Sequence, residues 1–362
     1  MSTDLALDRL CGQLIVGGYL GDRPTPTFLH AVEQGHRAGA ILFKRNLPSI
    51  EAAHSACSAI AAAAPDGLPP WLCLDEEGGR VRRLPSPFVK LPAMLKLGAH
   101  GDEALIERCG RVAGAQLRAL GFNLNLAPVL DVNTNPSNPV IGDRAFSADP
   151  LEAGRMALAY LRGLRAAGMV GCGKHFPGHG DTSVDSHVGL PVVAWRIDRL
   201  RQIELVPFQA AISAGIECLM SAHIVCESID AQSPATLSPI LATDLLRSEL
   251  GFQGVLLSDD LEMKAISARR GFGEAAVAAI AAGCDAVLIC SQEQAQEQAH
   301  AALIQEAERS PGFRTRCEQA ASRSLALRRR FPAAASATPQ SAMESMYTRD
   351  ARELATDLSQ FG

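Results

Sequence analysis

No stretch of this 362-residue chain reaches 18 consecutive apolar residues free of charge, which excludes a helical membrane span. There is no excess of positive charge either. Lys and Arg number 34 against 39 Asp and Glu, a net charge of −5, without the basic footprint of a nucleic-acid binder. The first ten residues, MSTDLALDRL, lack the basic-then-apolar layout of an export signal, so a cytoplasmic location is expected. Among ten cysteines there is no CxxC pair. Cys73, Cys172, Cys218 and Cys290 sit inside apolar, strand-like runs, where the thiol acts as a small hydrophobe, and reduced, buried thiols follow. Nor does a GxGxxG follow the first strand candidate. Val16-Gly17-Gly18-Tyr19 supplies no phosphate-binding turn, which counts against a doubly wound open sheet, the second-ranked architecture.

What is present is a recurring unit. A helix-like segment ends at glycine and a short apolar strand follows: Ala38-Gly39 into AILF, Leu120-Gly121 into FNLNLAP, Ala167-Gly168 into MVGC, Ala214-Gly215 into IECLMSA, Leu250-Gly251 into FQGVLLS, Ala282-Gly283 into CDAVLI. Glycine after a helix takes the left-handed cap, and short apolar strands alternating with amphipathic helices indicate parallel βα units. With 13–16 and 71–74 added, eight strands are predicted, the others at 40–43, 122–126, 169–173, 217–221, 255–258 and 285–290. Eight units over some 300 residues predict the α/β class and a single (β/α)8 TIM-type barrel. The barrel is assigned to residues 1–331. Residues 332–362 begin with the small-residue, proline-containing PAAASATPQSA and form a linker and short tail, with a short helix between 343 and 358 that is free to pack on the barrel.

Barrel enzymes carry their chemistry at the C-terminal strand ends, and polar residues collect there. They are Lys44, Arg45 and Asn46 after the second strand, and Asp75 through Arg83 after the third. Asp131, Asn133, Asn135, Asn138, Asp143 and Arg144 follow the fourth, Ser221 and His223 the sixth, and Asp259 and Asp260 the seventh. An isolated Asp after a strand is most often a helix cap. Six successive polar ends are harder to explain that way.

The densest of these stretches is CGKHFPGHGDTSVDSHVGLP, Cys172 to Pro191. Pro177 and the glycines at 178 and 180 prevent a helix, so the stretch reads as a long polar loop leaving a strand. Three readings apply. One is a metal site built from His175, His179 and neighbouring carboxylates, although zinc motifs of that spacing usually need the helix that Pro177 removes. Another is a loop whose polar groups satisfy only their own backbone. The third is general acid–base chemistry by a histidine oriented by a carboxylate, with Asp185 and His187 as the pair.

KHFPGHGDTSVDSH resembles the signature of family 3 glycoside hydrolases of the β-N-acetylglucosaminidase type, the bacterial enzymes of cell-wall recycling, and further motifs extend the resemblance over roughly residues 10–290. It implies a cofactor-free, metal-free, retaining exo-β-N-acetylglucosaminidase acting on small saccharides and muropeptides, GlcNAc–1,6-anhydroMurNAc peptides among them. No nucleic-acid or membrane partner is expected, and a monomer is the expected state. By resemblance the nucleophile is Asp259 of the SDDL segment, with Asp260 the structural alternative, and the acid/base is the His187–Asp185 dyad. Substrate binding falls to Asp75, Arg83, Arg144, Lys174 and His175. The family commonly has Asp-Gln-Glu-Gly-Gly-Arg where this chain has Glu76 in place of Gln, and Glu76 is expected to point away from the sugar. The alternatives in other classes are a metal-dependent hydrolase using the His-rich loop, separable by chelator, and a non-catalytic sugar-binding barrel.

Overall fold

The computed structural model describes residues 5–186 and 188–361. Eight parallel strands close on themselves: β1 (Ile15–Gly17), β2 (Gly39–Ile41), β3 (Trp71–Leu74), β4 (Leu124–Asn125), β5 (Val170–Phe176), β6 (Cys218–Ser221), β7 (Val255–Asp260) and β8 (Ala286–Ile289). They run in chain order around the barrel, and β1 pairs with both β2 and β8. Ile15 lies opposite Val287 and Val16 opposite Gly39. The eight predicted strands are therefore all found, with ends shifted by a few residues. The largest shift is in β5, which runs on through Lys174 and His175 to Phe176. Those two residues, read from the sequence as loop, project from a strand, because Leu130 and Ala222 on either side donate their N–H groups to Lys174 and Phe176.

Two glycines show why the βα rhythm is written as it is. Gly121 ends the helix Glu103–Leu120 at φ +103°, in the left-handed region. Gly39, inside β2, lies so close to the Trp71 backbone that a Cβ would fall 2.0 Å from its carbonyl oxygen. Any side chain there would push β2 and β3 apart.

The apolar residues divide into two layers. Side chains such as Val16, Ile41, Leu124, Val255 and Leu288 fill the barrel interior together with Cys73, Cys172 and Cys218. A larger layer fills the space between the strands and the surrounding helices. Among the described residues all ten cysteines are buried and none is in a disulfide. No described helix is long and apolar enough to cross a membrane.

The N-terminal end of the barrel is closed by the helix Pro311–Arg330. Its fully buried Arg328 donates to the carbonyls of Ala38 and Pro69 and to Gln13 Oε1 at 2.9–3.0 Å. Trp71 donates from its indole to Ser324 Oγ at 3.1 Å. Beside them the buried Asp285 carboxylate receives Arg247, Arg316 and Arg323. The tail adds helices Pro339–Ser345 and Arg349–Leu358. It lies against Glu103–Leu120, where Arg108 reaches Asp350 and Asp357 at 2.7 Å each.

Candidate active site

At the C-terminal mouth of the barrel lies a cavity of ≈ 260 Å³. Its charged lining comes from four strands and their loops. Asp75 follows β3 directly, Lys174 and His175 are on β5, and Asp259 is near the end of β7. Arg83 and Arg144 arrive on the loops after β3 and β4. Asp185 and Ser186 reach the cavity from the loop after β5. The site residues expected from the sequence thus converge on one space, apart from His187, which lies outside the described residues.

The cations are held by carboxylates. Lys174 Nζ, nearly fully buried, donates to Asp75 Oδ1 at 2.8 Å and Glu77 Oε1 at 2.6 Å. Arg144 forks onto Glu77 with two bonds of 2.8 Å, the bidentate geometry that a guanidinium favours. Arg83 Nη2 donates to the other Asp75 oxygen at 3.0 Å, and its guanidinium lies 5.4 Å from the Phe43 ring. It is not a solvated surface arginine. Burial alone would raise Asp75 and Glu77, but the Lys174, Arg83 and Arg144 charges outweigh it and hold both carboxyls below their ordinary range. Lys174 is raised in turn, against the effect of burial. The network is ionised and rigid at neutral pH.

Asp259 and Asp260 are adjacent and differ in state. Burial opposes the charge on Asp259, yet His223 and His175 more than compensate, and its carboxyl is lowered. Asp260 is pushed up by burial to about 7, with the charges of Glu262 and Asp259 adding to it. Its Oδ1 is engaged with the N–H groups of Glu262 and Cys290 at 3.0 and 3.3 Å. The Asp260 N–H donates to Asp259 Oδ1 at 2.8 Å. Asp259 is thus the ionised member and Asp260 the one engaged with its own loop.

Glu76 is buried and is not part of the cavity lining. Its Oε2 accepts the main-chain N–H groups of Arg83 and Leu84 at 2.8 and 3.1 Å. It therefore points away from the cavity and ties down the loop that carries Arg83. Burial raises its carboxyl to about 7. Folding takes up a proton at Glu76 between the ordinary carboxyl range and 7, so its contribution makes stability fall as pH rises through that window. Glu76→Gln has no proton to lose, and is expected to flatten the fall. Urea unfolding of both proteins at about pH 5 and about pH 8 measures this. Parallel losses in the two proteins would exclude Glu76 as the source.

The loop after β5 is pinned where it leaves and returns. Asp181 Oδ2 accepts from Trp195 Nε1 and from Arg199 Nη2, both at 2.9 Å. Val192–Val193 pairs in parallel with Val225–Cys226 from the loop after β6. Among the described residues no group of three or more His, Cys, Asp or Glu is arranged to hold a metal ion.

Two residues of the site were not singled out by sequence reasoning. Glu77, the shared partner of Arg144 and Lys174, is hidden inside an acidic Asp-Glu-Glu run. Asp131 appeared merely as one polar strand end. Its carboxylate, with no exposed surface, lies 2.7 Å from His175 Nδ1.

A model of the Glycosyl hydrolase family 3 N terminal domain matches residues 6–325. The beta-hexosaminidase of Pseudomonas aeruginosa (strain UCBPP-PA14) is 42% identical over 266 residues, 73% of this chain and 78% of that protein. That of Stenotrophomonas maltophilia (strain K279a) is 42% identical over 270 residues, 73% and 79% of the two chains. Among solved structures, a family 3 β-N-acetylglucosaminidase from Paenibacillus sp. str. FPU-7 superposes with a TM-score of 0.91 at 36% identity, covering 99% of this chain and 69% of that one. Native NagZ from Neisseria gonorrhoeae gives 0.81 at 30% identity, covering 96% and 97%.

Proposed function

The chain belongs to glycosyl hydrolase family 3, and from that premise we propose that it is a retaining exo-β-N-acetylglucosaminidase. Its substrates in this reading are peptidoglycan fragments, GlcNAc–1,6-anhydroMurNAc peptides in particular, from which it removes the terminal β-linked GlcNAc. The observation that carries the proposal is an ionised Asp259 facing one cavity with the Asp75–Lys174–Glu77–Arg144 network. A carboxylate held rigidly at a strand end is a nucleophile in waiting. Salt-bridged cations and acids around it are directional donors and acceptors for a polyhydroxylated ring.

In the proposed reaction Asp259 attacks the anomeric carbon as the glycosidic oxygen leaves. The bond to the aglycone breaks and an ester to Asp259 forms, through an oxocarbenium-like state. His187, paired with Asp185, gives its proton to the leaving oxygen. The neutral ring then takes a proton from water, which displaces Asp259 and releases GlcNAc with its β configuration retained. Asp75, Arg83, Arg144, Lys174 and His175 hold the sugar hydroxyls and the N-acetyl carbonyl. A histidine suits this cycle because its charge changes near neutral pH.

The test is release of p-nitrophenol from the β-GlcNAc, β-glucoside and β-xyloside conjugates, with the product anomer followed by proton NMR. The β-GlcNAc conjugate is expected to be cleaved far faster than the other two, the β-anomer appearing first. Equal rates on the glucoside, or an α product, would overturn the assignment. Digestion of GlcNAc–anhydroMurNAc peptides, followed by chromatography, tests the natural substrate separately.

A further inference from the structure

Asp131 begins the long loop after β4 and is fully buried. One oxygen, Oδ1, accepts the main-chain N–H of His179 at 2.6 Å and that of His175 at 3.2 Å. The other, Oδ2, lies 2.7 Å from His175 Nδ1. Two backbone donors fix the plane of the carboxylate, so the Oδ2–Nδ1 contact is imposed by the fold. Burial would raise Asp131, but His175, followed by His179, outweighs it and keeps the carboxyl low. An ionised carboxylate is an acceptor only. The nitrogen facing it therefore carries the proton.

His175 itself lines the cavity. The ring of His179 meets it edge-on at 5.8 Å between centroids, but the His179 nitrogens are engaged elsewhere, Nδ1 with Thr182 Oγ1 at 2.6 Å and Nε2 with Ser186 Oγ at 3.4 Å. His179 is lowered to about 4 by burial and by His175, and so is neutral. Among the described residues, Arg144 faces Asp131 from the same loop and Asp259 on β7 faces His175.

We propose that Asp131 is a positioning residue that sets the tautomer of His175. With Nδ1–H committed to Asp131, Nε2 is the nitrogen left to face the bound sugar, and in the singly protonated ring it accepts a hydrogen bond from a hydroxyl. The lining sets the donors Arg83, Arg144 and Lys174 beside the acceptors Asp75 and Asp259. An acceptor at Nε2 lets one hydroxyl donate to His175 while accepting from a cation, which a donor at the same place would not. This deepens the glycosidase reading and rests on it only for the identity of the hydroxyl compound.

The experiment is Asp131→Asn. Asn keeps the shape and keeps an oxygen for the two main-chain N–H groups. Its amide N–H₂ faces His175 Nδ1, however, and moves the ring proton to Nε2. Nitrogen-15 NMR of the ring, at a pH high enough for it to be neutral, reads the tautomer without any substrate; His175→Gln assigns the signal. The wild type is expected to carry the proton on Nδ1 and Asp131→Asn on Nε2. KM for the p-nitrophenyl β-GlcNAc conjugate should rise roughly tenfold, as for loss of one hydrogen bond of about 1.4 kcal/mol, with kcat within a few-fold of wild type. A wild-type ring protonated on Nε2 instead of Nδ1 overturns the proposal whether or not the variant folds, as does a ring that keeps both protons throughout the pH range in which the enzyme turns over. So does an unchanged tautomer or an unchanged KM in Asp131→Asn. Because the tautomer is read in the free protein, its failure is distinguishable from failure of the glycosidase assignment, which appears instead as absent turnover by the wild type.

Discussion

Asp259→Asn is expected to lower kcat by roughly four orders of magnitude or more, the scale on which loss of an enzymic nucleophile is usually felt. The substitution removes one negative charge and almost no volume. Its remaining oxygen can still accept the Asp260 N–H that now rests on Asp259 at 2.8 Å, so the β7 end keeps its shape and the protein keeps its Tm. The measurement is kcat on the p-nitrophenyl β-GlcNAc conjugate, with a thermal melt alongside. A slow fluorosugar on the wild type should leave a glycosyl ester on Asp259. Asp260 is the informative control, since it is adjacent in sequence and differs from Asp259 in state. Its carboxyl, raised to about 7 by burial and engaged with two main-chain donors, is a poor nucleophile at neutral pH. Mass mapping that found the label on Asp260 would reverse the assignment.

The second large effect lies at the opposite end of the barrel. Asp285→Ala is expected to destabilise the fold by about 3–5 kcal/mol, the usual consequence of removing one side of a buried ion pair. Asp285 has no exposed surface. Its oxygens receive Arg247 at 2.6 Å, Arg316 at 2.9 Å and Arg323, and also the main-chain N–H of Leu256 at 2.9 Å. Three guanidinium groups from two helices thus meet at the start of β8. Without the carboxylate they repel one another, and a buried N–H is left without its acceptor. Equilibrium urea unfolding gives the loss directly. The folded fraction should retain wild-type kcat, because the cavity proposed as the active site is at the other end of the strands. A loss below about 1 kcal/mol would mean that water replaces the carboxylate and that the cluster behaves as a surface network.

The difference between what was legible in the sequence and what was not follows the range of the interactions. The eight strands were legible because each is announced locally, by a glycine that ends a helix and a run of apolar residues after it. The group of site residues was legible because strand ends in a parallel barrel all face one way, so polar residues after apolar runs must meet. Lys174 and His175 were read as loop because Pro177 and the glycines dominate the composition there. What keeps them in strand geometry is hydrogen bonding from the residues around Leu130 and Ala222, some 45 positions away on either side. Glu77 finds Arg144 and Lys174 only after the chain has closed two more βα units, and no local spacing reports that. Arg328 is misleading in the opposite sense. It sits in a run of three arginines that reads as a solvated helix face, yet it is fully buried and caps carbonyls from the β2 and β3 edges.

The pinning of the loop after β5 bears on how such a protein can diverge. Asp181 is fixed to Trp195 and Arg199, and Val192–Val193 is fixed to Val225–Cys226, so the segment between them is a closed loop with anchored ends. Closure entropy grows slowly with length, by about 0.6 kcal/mol for each doubling. Residues added or lost inside the anchors therefore change stability little, while they move the carboxylate at Asp185 relative to Asp75, Lys174 and Asp259 at the strand ends across the same cavity. Mutation can explore the place and reach of that carboxylate at small cost to the fold. The same freedom is denied to Asp259, whose backbone belongs to the barrel itself.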